Sequence, residues 1–348
     1  MFLKQMLLKN FRNFGQETFE FNPHLTIIIG ENARGKTNLL ESIFFVIHGE
    51  GFRETKEEEL IAFNQTLTQV AGAFTNRDNT ITYQIMLKKT ADTVAKVFFT
   101  NKTKRRYIDY QKESTKAVLF SPEQIAIMTG SPDKRRKYFD SVLREFDIEY
   151  KKKLAHYETA LRKRNKILEH HVSESQLRKE ISFWNDYLAE QARYITAKRE
   201  EYLNFLNRHT KIDNREFHIE YVRNEFTKER LTEKYDLELR VRKTMIGPQK
   251  DDFHVYQVRG KEKKNLQHYG SRSEQRLGMF WLKLDETLYI ENQLKLRPIL
   301  LLDDILSELD KKNKKLVIDL IQKYQTVITT TETELIDLAK MQKSLIKL

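Results

Sequence analysis

Residues 25–47 read LTIIIGENARGKTNLLESIFFVI, and this stretch decides the fold. Leu25 to Ile29 is a short apolar, β-branched run, the pattern of a buried strand. Gly30, Glu31, Asn32, Ala33, Arg34, Gly35, Lys36 and Thr37 then fit the phosphate-loop pattern G-x-x-x-x-G-K-[ST]. Leu39, Leu40, Ile43, Phe44 and Ile47 follow at helical spacing, with Gly49 as the helix stop. The chemistry needs this order of residue types. Gly30 and Gly35 permit a tight turn, the loop N–H groups face phosphate oxygens, and the helix N-terminus adds positive potential. Lys36 is expected to bridge the β- and γ-phosphates of a bound nucleotide and Thr37 to ligate Mg²⁺. A chance turn has similar composition, but the eight-residue pattern in a strand–loop–helix context points to a nucleoside triphosphate.

At 348 residues the chain has room for a large core and a second module. A net charge of +12 suits DNA or another polyanion. Zero cysteines exclude disulfides and thiolate metal sites and fit a reducing cytoplasm. No apolar run approaches the ~20 residues of a membrane span, and MFLKQMLLKNFRNF at 1–14 lacks a signal-peptide core. A soluble, cytoplasmic protein without a membrane partner is the expectation.

In chain order, Phe2 to Phe11 and Thr18 to Phe21 read as strands before the phosphate-loop strand, with Asn22–Pro23 as the turn. Val70 to Phe74, Ile81 to Leu87 and Val94 to Phe99 read as an antiparallel meander, with a turn at Asn76–Arg77–Asp78–Asn79. Lys116 to Phe120 is a further strand. From about Asp133 the character changes. Leu154, Leu161 and Leu168 recur every seven residues, interleaved with Leu143, Tyr150 and Tyr157. Ile181, Leu188, Ile195 and Tyr202 repeat the period, and two long paired helices follow. Ser173 with Gln176 makes a capping box for the second. An arm projecting from the head and a folded-back bundle both need these helices; the arm is the preferred reading.

Mixed patterns return at about Ile212. IEYVR (219–223) and FHVYQV (253–258) read as strands, with Gly247–Pro248 as a turn before Asp251–Asp252. Ile299–Leu300–Leu301–Leu302–Asp303–Asp304, four aliphatics and two carboxylates, is a Walker B strand. Asp303 is expected to hold Mg²⁺ and Asp304 to polarise the attacking water. The predicted division is an ATPase head from 1–130 and 212–348, with an inserted helical arm at 131–211. The fold class is α/β with an antiparallel β flank, and a nucleotide site split between Lys36 and Asp303 around a helical insert resembles an ABC-type P-loop ATPase head.

These residues resemble the ATPase heads of the SMC group and, more closely, the RecF family of bacterial recombination-repair proteins. The marks are KNFRNF at 9–14, the phosphate loop, GFR at 51–53, EELIAF at 58–63 and FSPEQIAIMTGSPDKRRKYFD at 120–140. ALRKRN at 160–165, GPQKDD at 247–252 and LLLDDILSELD at 300–310 complete them. The resemblance implies that Ser271 to Gln275 is the signature motif, with Ser271 and Gln275 contacting nucleotide held by a partner subunit. It places Arg12 of KNFRNF in the nucleotide-binding set, makes Ser307 to Asp310 a dimer-facing loop, and puts Thr330 at the switch position of transporter-type relatives. Four positions depart from the family pattern: Ser273 and Ala33 stand where Gly is usual, Asp304 is shorter than the Glu of transporters, and Gln124 is the only candidate Q-loop glutamine.

The function so implied is ATP-dependent DNA binding in recombinational repair, replication and the SOS response. An ATP-driven homodimer would clamp single-stranded, gapped or junction DNA, hydrolyse ATP slowly and help load recombinase with RecO- and RecR-type partners. The alternative is a nucleotide-gated, non-hydrolysing DNA-binding scaffold. The run KKKLAHYETALRKRNK (151–166), with seven basic residues and one Glu, is either a solvated helix face or a DNA contact. Lys102, Lys104, Arg105 and Arg106 form a second basic cluster.

Overall fold

Strands dominate the first hundred residues because apolar and polar positions alternate there with period two. The computed structural model describes residues 1–348 except 54–55, 77–78, 92, 171–173, 213, 306–310 and 332–341. The chain forms two compact units, residues 1–123 with 286–348, and residues 124–285.

The first unit opens with β1 (Phe2–Phe11), β2 (Phe14–Glu20), β3 (Leu25–Ile29) and α1 (Lys36–His48). It continues through β4 (Leu67–Asn76), β5 (Asn79–Lys89), β6 (Val94–Thr100), β7 (Thr103–Arg105), α2 (Tyr107–Glu113) and β8 (Ala117–Phe120). An antiparallel sheet of order β2-β1-β4-β5-β6-β7 buries Met6, Leu8, Val70, Phe74, Ile85 and Leu87 on one face. β2 starts at Phe14, earlier than its alternation predicts, because Phe14 pairs with Phe11 across a turn at Arg12–Asn13 with Arg12 at φ 52°. Gly15, Gln16 and Glu17 are exposed and carry no apolar signal. The central residues of the predicted turn at 76–79 lie outside the described residues.

The second unit holds α3 (Ala126–Thr129), α4 (Pro132–Phe146), α5 (Ile148–His170), α6 (Glu174–Leu206), β9 (Lys211–Ile212) and β10 (Arg215–Val222). α7 (Lys228–Val241), β11 (Asp252–Arg259), β12 (Glu262–Asn265) and α8 (Leu266–Tyr269) follow, and α9 (Arg272–Leu294) leads back into the first unit. There β13 (Ile299–Asp303), α10 (Lys311–Lys323), β14 (Thr326–Thr330) and β15 (Lys343–Lys347) complete the chain. The five-stranded sheet β15-β3-β14-β13-β8 is parallel throughout, and β8, β13 and β14 are buried at every position. Continuous apolar runs are what such two-sided burial demands. α1 touches strands of both sheets, so it is apolar nearly all round: Leu39, Leu40, Ile43, Phe45, Val46 and Ile47 are all buried. Gly49 ends it as expected, at φ 83° with its N–H on the Phe45 carbonyl. Among the elements absent from the sequence reading are the highly charged α7 and the short edge strand β15, which carry little periodicity.

In the second unit α5 and α6 run antiparallel, with Lys153 on Glu190 and Arg164 on Asn185. Ser173 of the predicted capping box lies outside the described residues. The heptad seam is not wholly apolar. Tyr150 and Tyr157 are buried, and the next place in that register belongs to Arg164, while Leu161 is only half-buried. Arg164 donates to Glu238 (2.7 Å), Thr244 (2.8 Å) and Asn185 (2.8 Å), so this charge docks α7 on the hairpin. A second buried guanidinium, Arg199, joins Asp140 on α4 at 2.9 Å to Asp251 before β11 at 2.7 Å and also donates to the Pro248 carbonyl. Burial pushes the Asp251 carboxyl up, against the pull of Arg199 and hydrogen bonds from Tyr221 and Asn224. Arg135 pairs with Asp252 at 2.6 Å. The segments at 120–140 and 247–252 therefore meet through buried ion pairs, and 160–165 contributes Arg164 to α7.

Removing one partner from a buried pair leaves an uncompensated charge, at a cost of about 3–5 kcal/mol. Arg199→Ala strands two carboxylates and is expected to lose stability of that order in urea unfolding, whereas exposed Arg193→Ala stays near parental. A different pH signature belongs to Asp285 on α9. Its Oδ2 is buried without a hydrogen-bond partner, and burial raises its pKa from 3.8 to about 8. The folded chain keeps this proton while the unfolded chain loses it, so stability falls as pH rises from 3.8 towards about 8. Asp285→Asn should match the parent at the acid end and exceed it by on the order of a few kcal/mol at pH 8. Thermal melting across that range reads the difference.

Candidate nucleotide site

The carboxyl ends of β3, β14 and β13 lie side by side, the edge where parallel sheets place ligands. The loop 30–37 leaves β3 there. Lys36 is buried, and its Nζ donates to the carbonyls of Gly30 (2.7 Å) and Glu31 (2.9 Å), which holds the ammonium inside the loop. Thr37 Oγ1 donates to Asp303 Oδ1 at 2.9 Å, and Thr329 Oγ1 donates to the same oxygen at 2.7 Å. The Asp304 N–H in turn donates to Thr329 Oγ1 at 3.0 Å, with Asp304 in the left-handed region at φ 49°. One threonine hydroxyl thus touches both acidic positions. Thr329 was missed in sequence because TVITT carries no signal beyond a buried strand.

The two loop glycines answer different constraints. Gly35 sits at φ 104°, and an added Cβ would lie 2.5 Å from Asn13 Nδ2. Gly30 has no such φ; its added Cβ would lie 2.7 Å from the Leu348 carbonyl oxygen, beside β15. Close approach, not the turn, demands glycine at position 30. Ala33 holds φ 66°, a left-handed conformation that costs an L-residue ~1–2 kcal/mol. Glu31, Asn32, Ala33 and Arg34 are exposed along the loop.

Beneath the loop, Glu41 of α1 is fully buried and receives Arg12 Nε at 2.9 Å and Arg53 Nη2 at 2.8 Å. Asn38 Nδ2 donates to Asn13 Oδ1 at 2.6 Å, and Asn13 Nδ2 to the Arg34 carbonyl at 3.2 Å. The KNFRNF and GFR segments therefore brace the phosphate loop through Arg12, Asn13 and Arg53. Glu41 gave no motif of its own; a lone carboxylate inside an apolar helix face was its one signal.

Ser271 belongs to the second unit, where it caps α9. Its Oγ accepts the Glu274 N–H at 3.3 Å and its own N–H reaches Glu274 Oε2 at 2.8 Å, a reciprocal capping box. Burial works to raise the Glu274 pKa, but Lys264 and the Ser271 N–H outweigh it and hold the group at about 2. Gln275 is buried with its amide on the Leu266 carbonyl at 2.9 Å. Ser273 is an exposed residue of α9 without positive φ, so its side chain meets no backbone penalty. Thr330 is buried at the end of β14, and Gln124 lies in the turn Pro122–Ile125. Ser307 to Asp310 lie outside the described residues.

The basic run at 151–166 divides. Arg164 is internal, Lys153 pairs with Glu149 and Glu190, and Lys163 lies over Trp184, while Lys152 and Lys166 are exposed. In the cluster at 102–106, Arg105 and Arg106 pair with Glu113 and Asp109.

The residues fit a magnesium nucleotide. Lys36 supplies the cation, and Thr37 with Asp303 supplies oxygen ligands suited to Mg²⁺, which keeps water and phosphate oxygens as its other partners. Two substitutions separate chemistry from architecture. Lys36→Ala is expected to weaken ATP binding at least tenfold, the scale of a lost charge-assisted hydrogen bond, with little change in melting temperature. Gly30→Ala is expected to lower both affinity and stability, by ~1–3 kcal/mol. Equilibrium nucleotide titration and thermal melting of both variants check this.

A family model described as the RecF/RecN/SMC N terminal domain matches residues 2–347. The DNA replication and repair protein RecF of Acetivibrio thermocellus is 32% identical over 362 residues, covering 97% of this chain and 95% of that protein. That of Clostridium botulinum (strain ATCC 19397 / Type A) is 34% identical, covering 97% and 94%. Among solved structures, the recombination mediator protein RecF with ATP, of the RecFOR pathway, superposes with TM-score 0.83 at 28% identity, over 98% of this chain and 93% of that one. The Smc head domain of Pyrococcus yayanosii, at 15% identity and TM-score 0.57 over 99% and 94%, shares the fold. The fold is that of an ABC-type ATPase head, and the chain belongs to the RecF family.

Proposed function

We propose that this protein binds ATP with Mg²⁺ and uses it to control DNA binding in recombinational repair and replication. The convergence of Lys36, Thr37 and Asp303 at the end of the parallel sheet carries the proposal. The relatives support it: their names give DNA replication and repair, and one was solved with ATP. Lys36 would neutralise the terminal phosphates, Thr37 and Asp303 would hold the metal, and Asp304 would orient the attacking water. Bound Mg²⁺ supplies charge neutralisation at the transferring phosphoryl group.

In this reading ATP joins two chains, with Ser271 of each reaching nucleotide held by the other. The dimer would clamp DNA near single-strand gaps in the cytoplasm, with the helical segment 131–211 as an arm, hydrolyse ATP slowly, and help load recombinase with RecO- and RecR-type partners. A net charge of +12 favours contacts led by phosphates, and DNA affinity should fall steeply with salt. A non-hydrolysing, nucleotide-gated scaffold is the second reading. The short Asp304 side chain, its backbone N–H fastened to Thr329, favours it.

Asp304→Asn distinguishes the two. For a hydrolase, the variant keeps ATP binding, loses at least tenfold in single-turnover hydrolysis, and accumulates an ATP-bound dimer by light scattering. For a scaffold, the parent itself shows no turnover and the variant dimerises as the parent does. Parental hydrolysis in the variant removes Asp304 from the chemistry.

A further inference from the structure

Between the facing ends of α5 and α6 a cleft encloses about 410 Å³, and Lys163, Lys166, His170, Glu180 and Trp184 are among its lining residues. Neither Lys163 nor Lys166 has a carboxylate partner among the described residues, whereas Glu180 accepts a hydrogen bond from Gln176 at 2.7 Å. The Lys163 ammonium lies 5.1 Å from the centre of the Trp184 ring. Beside the cleft, Phe183 is 64% exposed. Its ring centre is 5.0 Å from that of Trp184 and 6.2 Å from that of Tyr187, with the Tyr187 plane inclined by only 20°. Three aromatic rings and two lysines without a carboxylate partner among the described residues therefore share one end of the helical hairpin.

We propose that this cleft binds a single-stranded nucleic acid, with unpaired bases stacking on Phe183 and its aromatic neighbours and phosphates meeting Lys163 and Lys166. An exposed ring favours a flat apolar partner, and an ammonium without a carboxylate partner favours an anion. An unpaired strand offers both in alternation, whereas a duplex hides its base faces. A protein segment would have to carry an apolar anchor and carboxylates at matching spacing, while the net charge of +12 draws any polyanion. Every residue involved lies in the second unit. The site rests on the DNA-binding reading and gives it a place on the helical hairpin, and it needs no nucleotide.

The chain carries its own reporter. Of its 2 tryptophans, Trp281 is fully buried and Trp184 lines the cleft. Titration of the full chain with a deoxythymidine oligonucleotide, without ATP, should quench Trp184 emission saturably, and an equally long duplex should do so only weakly. Phe183→Ala should weaken oligonucleotide binding about tenfold, one lost stacking contact, with unchanged melting temperature, and Phe183→Tyr should restore it. Trp184→Phe should lose the emission signal while a labelled oligonucleotide still binds by anisotropy. Lys163→Gln with Lys166→Gln should flatten the salt dependence. Unquenched emission at saturating oligonucleotide, parental affinity in Phe183→Ala, or equal affinity for the duplex overturns the proposal and leaves the cleft to a protein partner.

Discussion

A single carboxylate oxygen, Asp303 Oδ1, accepts hydrogen bonds from Thr37 and Thr329 and so joins the ends of three neighbouring strands. Thr37 follows β3, Asp303 ends β13 and Thr329 lies at the end of β14. In a parallel sheet these ends meet at one edge, and nothing in backbone pairing sets their side chains. The shared oxygen does. It orients the hydroxyl and the carboxylate that a magnesium nucleotide needs, and the same threonine hydroxyl takes the Asp304 N–H. The second acidic position is thereby held in a left-handed conformation that Asp tolerates better than most residues.

A comparable role in the second unit falls to buried charge. Arg199 and Arg164 bind carboxylates contributed by elements far apart in sequence, and each charge is satisfied by several hydrogen bonds. Such pairs add little net stability over apolar packing, but a wrong register leaves ions without partners. They therefore select one arrangement of α4, α5, α6, α7 and the loop before β11. ALRKRN lies in the basic run that reads as either a solvated face or a DNA contact, and GPQKDD reads as a turn before an acidic pair. Their buried members instead serve this interior.

The phosphate loop was legible because its chemistry is local: eight consecutive residues carry turn, cation and hydroxyl together. Periodicity likewise revealed the long helices, and an unbroken aliphatic run revealed β13. Arg164 escaped that reading because a charge was assumed to face water, and its burial depends on Glu238 from α7 with Thr244 and Asn185. Gln275 was expected to reach nucleotide, and its side chain is bonded to the Leu266 carbonyl. Ser273 stands where the family usually has glycine, and it occupies an ordinary helical position.

By itself the amino-acid sequence determined the phosphate loop and its lysine, the acidic pair after four aliphatic residues, the two long helices and the excess positive charge. Each is written in neighbouring residues or in a repeat. Tertiary structure alone decided why Gly30 has no side chain, because its neighbour is the Leu348 carbonyl. It also decided that Arg12 and Arg53 share Glu41, that Thr329 serves both acidic positions, and that Phe183 remains in solvent beside Trp184. These facts depend on which distant segments meet, and pairing between segments is set by packing and charge satisfaction over the whole unit rather than by local pattern.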